Sequence, residues 1–189
     1  VEVKYKLKSG AGRFPNIWLL NHTQTGVPAR PELDIMETGT GPNWGDGVNP
    51  IRIKATSWTD TGISAGNTDP NNQTNQSAQF VPATPLVNNF HTAGALLDPK
   101  NSKVTYYCDG TAFATHTIDS AAGPLFLNFG EWFDGDFNVG VPADPADLVS
   151  KEPIEFDYWR VWEQSYPVDT GGGDTGGGDT GGGDTGGGD

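Results

Sequence analysis

The sequence predicts an all-β fold, a sandwich or barrel of short strands, and three observations predict it. Apolar and polar residues alternate over short segments. Gly, Pro, Asn and Asp cluster between those segments. No stretch reads convincingly as a helix, beyond one turn at Pro145-Ala-Asp-Leu-Val149.

Val1 to Lys8 alternates cleanly, with Val1, Val3, Tyr5 and Leu7 on one face and Glu2 with three lysines on the other, which predicts a half-buried antiparallel strand. After the turn Ser9-Gly-Ala-Gly12, the run Phe14 to Leu20 contains Ile17-Trp-Leu-Leu20 and suits a strand covered on both sides. Residues 21–31 form a loop, and Pro31-Glu-Leu-Asp-Ile-Met-Glu37 is the next strand. Residues 39–50 read as a loop carrying Trp44, and Ile51 to Trp58 alternates as a strand. Asp60 to Ser77 is polar, with almost no apolar content from Asn67 to Gln76, and reads as a long surface loop.

Phe90 to Leu97, Lys103 to Cys108 and Thr111 to Ile118 are three further strands, with Asp109-Gly110 as a hairpin turn between the last two. Pro124 to Phe129 is another strand, Gly130 to Gly140 a loop rich in aromatics and acids, and Ile154 to Trp162 the closing strand. Trp18, Trp159 and Trp162 lie in apolar runs and are expected in the core. From Thr170 the motif Thr-Gly-Gly-Gly-Asp repeats to Asp189, the composition of a flexible linker. The expected organisation is one domain over residues 1–168 and a linker over 169–189, leading to a further module.

The formal net charge is −13, and −8 remains after the five tail aspartates are removed. That balance argues against nucleic acid and anionic membranes as partners. It suits a neutral polymer, with the domain as a monomer. Cys108 is the only cysteine, so an internal disulfide and a thiolate zinc site are both ruled out. No apolar run approaches the length of a membrane helix. The chain opens without Met inside a strand pattern, which reads as a fragment or processed form.

The strand Pro31–Glu37 breaks the local rule. Leu33, Ile35 and Met36 have core character, yet Glu32, Asp34 and Glu37 sit among them, and ionised carboxylates on a half-buried strand are costly unless paired or used. In a regular strand residues 32, 34 and 36 share a face and Glu37 points away. One extra residue near Ile35 and Met36, a β-bulge, returns Glu37 to the face of the other two acids. Two carboxylates flanking one bond are the machinery of glycoside hydrolysis, and like charges in one site push one pKa upward, as an acid catalyst requires. Retaining enzymes hold the two carboxyls about 5–5.5 Å apart and inverting ones about 6.5–9.5 Å, and the spacing in sequence leaves both open.

The order of segments resembles glycoside hydrolase family 16. Glu32-Leu-Asp-Ile-Met-Glu37 is similar to the longer, bulged form of that family's acidic signature, and Ser9 to Leu20 resembles the turn and strand before it. Phe90-His-Thr-Ala-Gly94, Val104 to Gly110, Leu125 to Gly130 and Phe156 to Trp162 resemble its later strands in order. The resemblance implies a two-sheet jelly-roll sandwich of the concanavalin A-like lectin and glucanase type, with an open cleft on its concave face. It implies Glu32 as nucleophile, Glu37 as general acid/base and Asp34 as the group tuning them. It further implies a secreted, endo-acting, retaining hydrolase of a β-linked polysaccharide, β-1,3-glucan ahead of a marine galactan such as agarose, porphyran or carrageenan. A carbohydrate-binding module of the same fold is the non-catalytic alternative.

The chain departs from the family pattern in three places. Family domains begin with strands before the position of Val1, so an exposed edge or a missing cleft wall is expected. Gly26-Val27-Pro28 stands where many laminarin-cleaving members resemble Gly-Trp-Pro, and a His frequent on the next strand is replaced around Ser57-Trp58. Trp44, Trp58 and Trp132 are candidates for stacking on sugar faces. His22, His91 and His116 lack metal-ligand spacing, and His91 is expected as a hydrogen bonder at a strand start. No cofactor is expected; Asp134, Asp136 and Asn138 around Gly135 offer oxygen ligands for a structural calcium ion, with a spacing short of a calcium loop.

Overall fold

The computed structural model describes residues 1–10, 12–21, 29–47, 49–60, 73–118, 125–133 and 153–163. Among the described residues, ten strands form two antiparallel sheets. They are β1 (Glu2–Lys6), β2 (Arg13–Asn21), β3 (Ala29–Glu37), β4 (Ile53–Asp60), β5 (Gln73–Phe80), β6 (Phe90–Asp98), β7 (Lys103–Cys108), β8 (Thr111–Thr117), β9 (Leu125–Phe133) and β10 (Glu155–Arg160). The first sheet has the order β10-β1-β6-β7-β8 and the second β5-β4-β3-β2-β9. A single 3₁₀ turn, Pro99–Asn101, interrupts the strands described. The turn at Pro145–Val149 and the linker lie outside the described residues.

The sheets meet through the alternation read in the sequence. Val3, Tyr5 and Leu7 from the first sheet are fully buried against Ile17, Leu33, Ile35, Met36 and Ile53 from the second, with Val104, Tyr106 and Cys108 completing the layer. At about 25 cal/mol per Å² of apolar surface, this shared layer is the main source of stability. Asp109 and Gly110 both adopt positive φ, 49° and 74°, the geometry that a two-residue hairpin demands.

Four expectations are corrected. Of the two consequences expected from absent strands, an exposed edge is not found at β1, because β6 and β10 pair with it on both sides. The strand β5 falls partly inside the expected surface loop. It goes unseen in sequence because it pairs along β4 with a largely polar composition, and Gln76 joins the other sheet through hydrogen bonds with the Thr117 carbonyl and amide. The strand β9 continues past Gly130 to Phe133, since nine-residue β2 offers it a partner along its whole length. Finally, Trp159 and Trp162 are 61% and 59% exposed, because they lie at the outer edge of the first sheet. Phe129 of β9 and Phe156 of β10 touch across the gap between the two edges, their ring centroids 5.0 Å apart.

One ion pair ties β2 to β9 at the end that borders the site. The Arg13 guanidinium, 2% exposed, makes a bidentate contact with Glu131, donating from Nε to Oε1 and from Nη2 to Oε2 at 2.7 Å. Removing one partner of a buried pair leaves the other charge uncompensated. Glu131→Ala should therefore destabilise the domain by about 3–5 kcal/mol, measured by urea denaturation. The double substitution Arg13→Met with Glu131→Leu should lose much less, and a single variant as stable as the wild type would contradict this role.

Candidate active site

The strand β3 carries the bulge. Ile17 of β2 is opposite Met36 while Trp18 is opposite Asp34, so Ile35 is the extra residue. On the other side Asp34 is opposite Thr56 and Glu37 opposite Lys54, three steps on β3 against two on β4. Leu33, Ile35 and Met36 all remain buried in the core. Glu32, Asp34 and Glu37 consequently share the outer face of the second sheet. They line one cleft of about 200 Å³ with Phe14, Asn16, Trp18 and Trp132.

The strand β4 supplies the acids with polar partners. Thr56 Oγ1 donates to Glu37 Oε2 at 3.2 Å, and Trp58 Nε1 donates to Asp34 Oδ2 at 3.0 Å. This strand is held from behind by a buried network between the sheets. Ser57 Oγ lies 2.7 Å from the Tyr106 hydroxyl and 2.9 Å from His116 Nδ1, and Tyr106 donates to the Thr56 carbonyl. A buried network with every partner supplied fixes register as well as energy.

The electrostatics follow from crowding three acids in one half-dry site. Burial, then the charges of Glu37 and Glu32, push the Asp34 carboxyl up to about 8, against the pull of the Trp58 hydrogen bond and Lys54. Burial also raises Glu37, opposed by Lys54 and by the Thr56 hydrogen bond and assisted by Glu32. Near neutral pH Asp34 therefore holds a proton.

The tryptophans divide by location. Trp132 is 46% exposed and lines the cleft, whereas Trp58 is half-buried and directs its indole N–H to Asp34. Trp44 is 8% exposed, packs edge-on against Phe14 at 5.7 Å between centroids and lines a neighbouring pocket. Trp18, expected in the core, lies instead in the cleft. Because Ile17 and Leu19 are buried on the core side, the alternation of β2 turns Phe14, Asn16 and Trp18 to the other face. That parity is the signal by which Asn16 and Trp18 are found; Thr56 and Lys54 emerge only once β4 is placed in register with β3. His91 is a hydrogen bonder as expected, with Nδ1 2.7 Å from Asp109 Oδ2 and Nε2 3.0 Å from the Pro85 carbonyl. Asp134, Asp136 and Asn138 lie outside the described residues.

Fold and site together define a jelly-roll β-sandwich bearing an acidic cleft on the outer face of one sheet. No family model and no curated protein sequence matches the chain. Solved structures of glycoside hydrolase family 16 share its fold. A mixed-linkage glucan enzyme of that family from Bacteroides ovatus, solved with its product, is 21% identical with a TM-score of 0.57, over 82% of this chain and 67% of that one. The laminarinase catalytic domain of Thermotoga maritima is 20% identical with a TM-score of 0.57, over 82% of this chain and 59% of that one. The endo-1,3-beta-glucanase (laminarinase) catalytic domain of Thermotoga petrophila is 21% identical with a TM-score of 0.55, over 76% of this chain and 55% of that one. The chain thus spans between 55% and 67% of the length of these structures. The family resemblance read from the sequence is matched by the fold.

The raised carboxyl of Asp34 gives a stability test. The folded chain keeps a proton up to about pH 8 that the unfolded chain releases near the ordinary carboxylate value, about 4. This contribution is fully present below pH 4 and is lost as pH rises towards and through 8. Asp34→Asn should remove that loss, so its Tm should rise relative to wild type between pH 5 and pH 9, by about 2–4 °C for each kcal/mol recovered. Parallel Tm–pH curves for the two proteins would contradict the assignment.

Proposed function

We propose that this chain is a retaining, endo-acting glycoside hydrolase of a β-linked polysaccharide. The observation that carries the reading is the bulge, which sets Glu32 and Glu37 on one face with Asp34 between them and leaves the outward-facing acids lining an open cleft. Glu32 attacks the anomeric carbon while Glu37 protonates the glycosidic oxygen, and the resulting glycosyl ester on Glu32 is hydrolysed by water that Glu37 deprotonates. The charge logic supports this order. Burial and, to a smaller degree, the Glu32 carboxylate raise Glu37 in the free protein, which favours the proton donor, and esterification removes the Glu32 charge, which favours Glu37 as a base. Asp34, protonated near neutral pH, separates the two glutamates without adding a third charge.

The backbone is read as a β-glucan, because the enzymes of like fold named above are described as acting on laminarin or mixed-linkage glucan. Trp18 and Trp132 give the cleft aromatic faces suited to the apolar faces of pyranose rings. Secretion follows from the same reading, since a polymer of this kind is met outside the cell.

Reducing-end release should be measured on a panel of laminarin, mixed-linkage glucan, agarose and carrageenan. Glu37→Gln should lower kcat by about 10²–10⁴ on the polymer that the wild type cleaves, and Glu32→Gln should abolish turnover. Full activity in Glu32→Gln would overturn the assignment. Binding by the wild type without release from any polymer would show a carbohydrate-binding module instead.

A further inference from the structure

Basic residues are scarce in this chain, 11 Lys and Arg against 24 Asp and Glu, and several are paired with acids. Lys4 meets Asp157, Lys6 and Lys8 meet Glu155, and Arg13 meets Glu131. Two cations beside the cleft behave differently. Arg52, just before β4, and Lys54, on β4, line a polar pocket of about 440 Å³ with Trp44, Ser77 and Gln79. Among the described residues neither has a carboxylate within ion-pair distance. Arg52 Nη1 donates to the neutral Gln79 Oε1 at 3.2 Å, and its Nε is buried without an acceptor. Lys54 Nζ stands 5.6 Å from the Trp44 ring centroid.

The pocket adjoins the acids, since Lys54 is directly opposite Glu37 in the β3–β4 ladder. It extends away from them onto β5, where Gln79 is opposite Lys54 and Ser77 opposite Thr56. A neutral sugar gives the Arg52 guanidinium nothing to neutralise, and Lys54 has only the acids across the ladder to act on. A planar guanidinium with unclaimed donors matches the oxygens of a sulfate ester or carboxylate, and a neighbouring ammonium adds a point charge.

We propose that Arg52 and Lys54 form a subsite for an anionic substituent of the polysaccharide, a sulfate ester or a carboxylate, on a sugar bound beside the scissile bond. The inference takes the cleft described above as the substrate site and concerns what the polymer carries, whichever backbone it has. Trp44 forms the apolar wall of the subsite, and Gln79 orients the guanidinium.

The test is affinity electrophoresis of the Glu32→Gln variant, alone and combined with Arg52→Gln or with Arg52→Gln and Lys54→Gln. The gels contain laminarin, chemically sulfated laminarin, carboxymethylated curdlan, agarose or sulfated agar at one fixed ionic strength. At least one anionic polymer should bind about ten-fold or more tightly than its neutral counterpart. Arg52→Gln should remove most of that preference, whereas Lys100→Gln, the same charge change in the turn between β6 and β7, should leave it. Retention by the sulfated but not the carboxymethylated polymer, or the reverse, tells which anion the subsite takes. Equal retention by neutral and anionic polymers, no retention by any anionic polymer, or a preference unmoved by Arg52→Gln would each overturn the subsite. Because the readout is binding, it separates from the hydrolase reading. Wild-type cleavage of neutral polymers with no anion preference removes the subsite and keeps the enzyme; anion-selective binding with no release from any polymer does the reverse.

Discussion

One extra residue in β3 is the constraint on which the site depends. Without it, the period-two alternation of a strand would turn Glu37 towards the core that Leu33, Ile35 and Met36 fill. With it, three apolar side chains stay buried and three carboxylates emerge on the same outer face. The bulge reconciles two demands that a regular strand cannot meet together. Its energetic support comes from the core side, where Ile35 and Met36 are packed between the sheets.

The neighbouring strand converts that geometry into chemistry. Lys54, Thr56 and Trp58 are opposite Glu37, Asp34 and Glu32 in register, and their side chains set how strongly Asp34 and Glu37 are held. Burial dominates, raising Asp34 and Glu37, while the contacts from β4 moderate the rise. The Ser57–Tyr106–His116 network locks β4 to the opposite sheet, so the donors are fixed by the sandwich itself. The cleft is thus a property of the two-sheet packing, with the loop bearing Trp44 and the Arg13–Glu131 pair bordering it.

Much of this was legible in the residues. The alternation of Val1–Lys8, the Asp109-Gly110 turn and the misplaced acids of Glu32–Glu37 each state a local rule or its violation, and the structure follows all three. What stayed hidden depends on partners rather than on local pattern. Gln73–Phe80 lacks an apolar face because much of its stabilisation comes from β4 and from Gln76 reaching across to β8. Trp18 reads as core in an apolar run, and only the parity set by Ile17 and Leu19 sends it into the cleft. Trp159 and Trp162 look buried by composition, yet Trp159 sits on the edge strand β10 and Trp162 just past its end, and both stay exposed. The basic pair Arg52 and Lys54 is unremarkable in sequence, and it gains meaning when Lys4, Lys6 and Lys8 are seen to be paired with acids.

The central claim is that the bulged strand makes Glu32 and Glu37 a nucleophile and an acid/base acting in two displacements. Its most direct test is the anomeric configuration of the first product, followed by proton NMR from the moment a β-linked polymer is cleaved. Two displacements predict that the new reducing end appears first as the β-anomer and then mutarotates. Initial appearance of the α-anomer would mean single displacement by water, and would contradict the role given to Glu32.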